Sequence, residues 1–160
     1  MSLIYFKLDR ATYQQQACNI TVDASYKLRI CCPRITSMHN LLWRLLSAIS
    51  WKNPHFVEYQ YLHAGEVVAY AQVIHKLCIF KFMDRQGIHV GPCYTKPAYR
   101  GQNLYPSLLQ RIAADYPDRE IYIFTSDVNR ASVRGIVKAG FVPFAVGRKR
   151  LHCYVVEKYL

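Results

Sequence analysis

A chain of 160 residues fits one domain, long enough to bury roughly two-thirds of its unfolded surface. Hydrophobic residues at 52% and charged residues at 19% exclude a disordered chain, and no apolar run reaches the ~18 residues of a membrane span. The net charge of +11 is spread evenly, with ten Lys and Arg against five acids over residues 1–95 and eleven against five over 96–160. That spread argues against a nucleic-acid-binding tail and suits a small polyanion.

In chain order, Leu3–Leu8 and Tyr26–Cys32 read as strands, and the connection from Thr12 to Ser25 carries no usable period. Thr36-Ser37 can cap a helix through Leu41, Leu42, Leu45, Leu46 and Ile49, which Trp51–Pro54 breaks. Phe56–Leu62 and Val67–Ile74 alternate around a turn at His63–Glu66, predicting an antiparallel hairpin. Leu77–Met83 is β or irregular, and Asp84–Gly87 is turn chemistry. The next strand, Ile88–Thr95, contains Pro92, which cannot donate to a ladder and so predicts a bulge.

Leu104, Leu108, Leu109, Ile112 and Tyr116 then recur at helical spacing until Pro117. Glu120–Thr125 is a short strand, so the strand–helix–strand unit implies a right-handed crossover and a parallel pair. Asp127 or Asn129 caps a helix through Val133, Ile136 and Val137, closed by Gly140. Phe141–Val146 and Leu151–Val156 are expected as final strands around a basic turn, Gly147-Arg148-Lys149-Arg150. The sum is an α+β fold: a mixed, mostly antiparallel sheet with helices on both faces.

Between the strand at 88–95 and its helix lies Arg100-Gly101-Gln102-Asn103. A strand handing over to a helix through such a loop gathers free N–H groups and the positive end of the helix dipole, which suits a phosphate. Arg100 to Tyr105 (RGQNLY) resembles the acyl-CoA pyrophosphate loop of the GNAT superfamily of N-acyltransferases, Q/R-x-x-G-x-G/A. Asn103 stands where glycine is usual, and asparagine is the residue that best tolerates positive φ in its place. Tyr105 stands where a small residue is usual. Asp127–Ser132 and Gly140-Phe141 are similar to the family's N-x-x-A/S helix start and terminal G-F. The resemblance covers residue 56 onward well and the first 55 residues loosely.

The resemblance implies a single domain over 1–160 that moves an acetyl group from acetyl-CoA to a primary amine by direct attack. The two parallel strands would splay, with the pantetheine arm bonded to main chain around Cys93, Tyr94 and Thr95. The loop of Arg100, Gly101, Gln102, Asn103, Leu104 and Tyr105 would take the pyrophosphate, up to Pro106, which offers no N–H. Asn129 and Ser132 would contact the cofactor, a role that shares its residue types with plain helix capping. A backbone N–H near Tyr94 would hold the oxyanion, and His89, counted back from Arg100, would be the base, with Glu58 and His75 behind it.

The family's thiolate-protonating tyrosine falls on Ile136 here, leaving Tyr94, Ser126, Ser132 or water for that task. Gly135 beside it is costly in a helix and signals a close approach. Gly91–Thr95 and Tyr105-Pro106 also resemble acyltransferases of bacterial surface-polysaccharide synthesis, which implies an amino-sugar acceptor bound largely by the first 75 residues. No metal is expected, since Cys18, Cys31, Cys32, Cys78, Cys93 and Cys153 form no C-x-x-C pair. With no signal-peptide pattern, a cytoplasmic monomer or homodimer is expected, without nucleic-acid or membrane partners. The competing expectations are a catalytically weak acyl-CoA-binding or interaction module, and a basic nucleic-acid-binding domain using tyrosines for stacking.

Overall fold

The computed structural model describes residues 2–16, 20–33, 41, 45, 56–76, 79–150 and 153–160. Eight strands form one sheet: β1 (Ser2–Leu8), β2 (Lys27–Cys31), β3 (Val57–His63), β4 (Glu66–His75), β5 (Ile88–Thr95), β6 (Ile121–Ser126), β7 (Phe141–Arg150) and β8 (Cys153–Tyr159). Their order across the sheet is β2-β3-β4-β5-β6-β1-β7-β8, antiparallel throughout except for the β5–β6 pair. Three helices complete the described elements: α1 (Arg10–Gln16), α2 (Leu104–Asp115) and α3 (Arg130–Lys138). A 3-10 turn, Pro97–Tyr99, follows β5.

Period-two alternation divides the core into two layers. On one face Phe6, Leu8, Tyr59, Ala71, Ile88, Val90, Ile121 and Ile123 pack under Leu104, Leu108, Ile112 and Ile136. Their neighbours Leu3, Tyr5, Ile74 and Tyr122 turn to the other face and meet Phe80, Phe82 and Met83. All three described helices thus lie on the first face, and the segment around Phe80–Met83 covers the second. The expected helix at 36–49 lies outside the described residues except for Leu41 and Leu45, both helical.

Helix α2 is fixed at both ends. Asn103 starts it in the left-handed conformation, φ 60°, and Pro106, within its first turn, forgoes an N–H that would have no helical partner. At the far end Arg10 donates to the last carbonyls, with Nη1 2.9 Å from Ala113 O and Nη2 2.6 Å from Tyr116 O and 2.9 Å from Arg119 O. This arginine begins α1, a helix whose short polar sequence gives no apolar stripe to read.

The basic stretch Gly147–Arg150 is strand rather than the expected turn, because β7 continues to Arg150 in register with β8. Gly147 permits this. A Cβ there would stand 2.0 Å from Val155 O, so the two backbones approach closer than any side chain allows. Leu151 and His152, the first residues of the expected strand Leu151–Val156, lie outside the described residues.

Candidate functional site

Strands β5 and β6 pair only at Ile88↔Ile121 and His89↔Tyr122, then part. Downstream of that pair the sheet is open like a fork. On its other edge β5 stays paired with β4, through a bulge in which Gly91-Pro92 faces Gln72 between Val73↔Val90 and Ala71↔Cys93. The bulge shifts which amides look into the fork. Before it, Ile88 N donates to Glu120 O on the β6 side at 2.9 Å, and alternation sends Val90 the same way. After it, Lys96 N donates to Val68 O at 2.9 Å, so Tyr94 N–H also points at β4, toward its partner Tyr70.

The N–H and C=O groups of Cys93 and Thr95 therefore face the fork. Arg100 Nε confirms the direction by donating to Thr95 O from that side at 3.3 Å. This corrects the expectation for Tyr94: its amide is committed to β4, and the amide that faces the fork is that of Cys93. The Tyr94 side chain stands 45% exposed beside Tyr70, ring centroids 6.0 Å apart.

The loop after the fork has the backbone of an anion cradle. Gly101 and Asn103 hold φ of 82° and 60°. Among the described residues no backbone carbonyl accepts from the N–H of Gly101, Gln102 or Asn103, whereas Arg100 N closes the preceding turn on Pro97 O at 3.2 Å. The Gln102 side chain turns away and accepts from the Tyr26 hydroxyl, joining Tyr26, His63 and Tyr99, whose rings pack 5.2–6.3 Å apart behind the loop.

Tyr105 does not crowd the cradle. Its ring leaves the loop and lies on Gly135 of α3, where an added Cβ would stand 2.6 Å from Tyr105 Cδ1. The costly helix glycine is thus explained by an aromatic ring from the neighbouring helix. Ile136 beside it is fully buried in the core. At the start of α3, Asn129 Oδ1 accepts from Ser132 N at 3.2 Å, an ordinary N-cap.

Fork, loop and α3 enclose a cavity of about 790 Å³. It brings together Cys93, Tyr94, Thr95, Arg100, Gly101, Asn103, Leu104, Tyr105, Asn129 and Ser132; Gln102 and His89 do not line it. Sequence reasoning missed Tyr99, Ala131, Arg134 and Lys138; Pro106 and Gly135, which it singled out, complete the lining. Ser132, Gly135 and Lys138 lie three residues apart along α3, a spacing visible in the sequence with Asn129 as the cap. Arg100, Arg134 and Lys138 supply three cations, none ion-paired with an acid among the described residues.

His89 sits instead in the aromatic layer on the opposite face. Its ring stacks on Phe124 at 4.9 Å and an 8° angle, with Phe80 at 4.6 Å. Burial pulls its pKa down to about 3, partly offset by a hydrogen bond to the Tyr122 backbone. Neutral and walled in, it is poorly placed to take a proton from a ligand in the cavity. Glu58 lies on that same face of the sheet, buried, accepting from Gln60 Nε2 and from Gln72 Nε2 at 2.7 Å; Arg29 Nε donates to Gln60 Oε1 at 2.8 Å. Burial also pushes the Cys93 thiol up to about 12, so it remains protonated and is no nucleophile.

Fold and site together define a class of α+β domain: a mixed sheet that opens between its parallel strands, beside a loop that starts a helix. The sequence matches the acetyltransferase (GNAT) family over residues 22–141, and the chain belongs to that family. No curated protein matches it significantly. Its fold is similar to that of a GCN5-related N-acetyltransferase-like protein from Streptococcus suis (TM-score 0.58, 14% identity, 91% of this chain and 59% of that one). It is also similar to an aminoglycoside acetyltransferase from an uncultured soil metagenomic sample (0.56, 11%, 85% and 99%) and to an aminoglycoside N-acetyltransferase in complex with CoA (0.51, 19%, 78% and 99%). The chain spans only 50–60% of the length of five of the matched structures, the Streptococcus suis protein among them.

Proposed function

We propose that this protein is an N-acetyltransferase that takes acetyl from acetyl-CoA and passes it to a primary amine. One observation carries the reading: the unpaired Cys93 and Thr95 amides of the fork and the unpaired amides of the 101–103 loop open on one cavity. The arrangement suits a ligand with amide groups along one arm and phosphates at the other end. Arg100, Gly101, Asn103 and Leu104 would hold the pyrophosphate end, with Arg134 and Lys138 adding charge, while Tyr105 turns its ring to Gly135. Cys93 and Thr95 would bond the pantetheine arm, and Asn129 and Ser132 border it while capping α3.

When bound, acetyl-CoA supplies an activated thioester, and the chain's own groups position it. The Cys93 N–H, aimed into the fork, donates to the carbonyl oxygen as it gains charge. The amine attacks directly, since the protonated Cys93 thiol offers no covalent route. With His89 enclosed, the amine gives its proton to water or reaches the fork unprotonated. The acceptor fits best as a polar amine such as an amino sugar. Two of the proteins that share this fold act on aminoglycosides by name, and the sheet face beside Tyr94 and Tyr70 carries the polar group Glu58, Gln60, Gln72 and Arg29.

Calorimetry with CoA, followed by thiol release from acetyl-CoA with a panel of amino sugars and polyamines, tests the reading. Micromolar CoA binding and amine-dependent thiol release are expected. Binding without thiol release would favour the weak acyl-CoA-binding module, and no binding would end both readings.

A further inference from the structure

Collapse of a tetrahedral intermediate breaks the C–S bond and leaves the electron pair on sulfur, which needs a hydrogen-bond donor beside it. Hydroxyls on five side chains line the cavity: Tyr94, Thr95, Tyr99, Tyr105 and Ser132. The Tyr94 ring is drawn off beside Tyr70, and the Tyr99 hydroxyl faces His63 Nδ1 at 3.5 Å behind the loop. Ser132 sits at the capped, outer end of α3, and Thr95 lies two residues beyond the Cys93 amide. Tyr105 differs from all four. Its ring is wedged between the first turn of α2 and Gly135 of α3, in the cavity that Cys93 of the fork strand also lines. No group among the described residues hydrogen-bonds that hydroxyl.

The geometry points to Tyr105 as the hydrogen-bond donor to the departing thiolate of coenzyme A, supplied by the first turn of α2. This rests on the acetyl-transfer reading above. Burial holds the phenol well above its usual range, so it donates a hydrogen bond without surrendering its proton. The balance is then simple. The C–N bond forms, the C–S bond breaks with its electrons moving to sulfur, and the proton lost by the amine returns through water to the thiolate. Gly135 acts through Tyr105, as the positioning residue that leaves room for the ring.

The test needs no acceptor. Coenzyme A labelled with carbon-13 beside the thiol is bound to the wild-type chain and to Tyr105→Phe, and its chemical shift is followed against pH. Phe keeps the ring on Gly135, so CoA affinity should stay within about threefold, while the bound thiol ionises roughly tenfold less readily, about one pKa unit. Should Tyr105→Phe fail to fold, 3-fluorotyrosine at 105 keeps the shape and, as the stronger donor, should lower the thiol pKa further. Identical titrations in wild type and variant would overturn the assignment while leaving acetyl transfer standing. A wild-type chain that binds no CoA would remove both.

Discussion

Lys138 Nζ lies 2.8 Å from Asn103 Oδ1, tying the last turn of α3 to the left-handed residue that opens α2. Asparagine therefore does two things that glycine could not do together. It adopts the positive φ of the cradle at small cost, and it draws an ammonium group to the rim of the cavity.

On the proposed reading, that ammonium is a phosphate contact. Lys138→Met should weaken CoA binding by roughly tenfold, the loss of one charge-assisted contact, and should flatten its salt dependence. Asn103→Gly should keep the turn and lose only the tether, giving a smaller change. Isothermal calorimetry at low and high salt measures both. Unchanged affinity in Lys138→Met would show that the cation faces solvent and not ligand.

The Tyr105–Gly135 contact predicts a reversal of helix propensity. Alanine ordinarily stabilises a helix interior by about 1 kcal/mol over glycine. Here its Cβ would strike the Tyr105 ring, so Gly135→Ala should instead destabilise by about 1–3 kcal/mol. With Tyr105→Ala already present the same change should become stabilising. Urea unfolding of the four proteins of this cycle reads the coupling directly.

Both devices explain what the sequence could and could not reveal. The strand–loop–helix–strand order, the Pro92 bulge and the Asn103 turn follow from local rules about φ and missing donors, while the splay of the two parallel strands is what the family resemblance implied. The choice between Cys93 and Tyr94 was not legible. A bulge moves each amide to the other edge of the strand, and only the register with Gln72 and Val68 shows where the shift falls. The path of the Tyr105 ring depends on how two helices pack, which no spacing within one helix states, whereas Lys138 follows from its spacing with Ser132. His89 was read by its position along the strand, but its neighbours Phe80 and Phe124 arrive from other segments.

Gly147 shows the same limit at the level of the fold. Gly-Arg-Lys-Arg has turn composition, yet the glycine is there because β7 and β8 run almost in contact. Gly147→Ala should cost more than about 3 kcal/mol, since backbone at 2.0 Å cannot yield as a flexible side chain would. A melting temperature within a few degrees of wild type would mean that β8 can shift aside.

The buried His89 predicts a specific acid sensitivity. Its pKa is about 3 in the fold against 6.5 for an unconstrained imidazole, so the unfolded chain binds the proton first. Stability from this residue is complete above pH 6.5 and is lost as pH falls toward 3. The loss should reach about 2 kcal/mol near pH 5 and several kcal/mol at the lower limit. His89→Phe places an aromatic ring among Phe80, Phe82 and Phe124 and has no proton to gain, so its stability should be flatter over the same window. Urea midpoints measured at neutral pH and near pH 5 separate the cases: parallel losses in wild type and variant would mean that His89 opens to water before the rest of the chain unfolds.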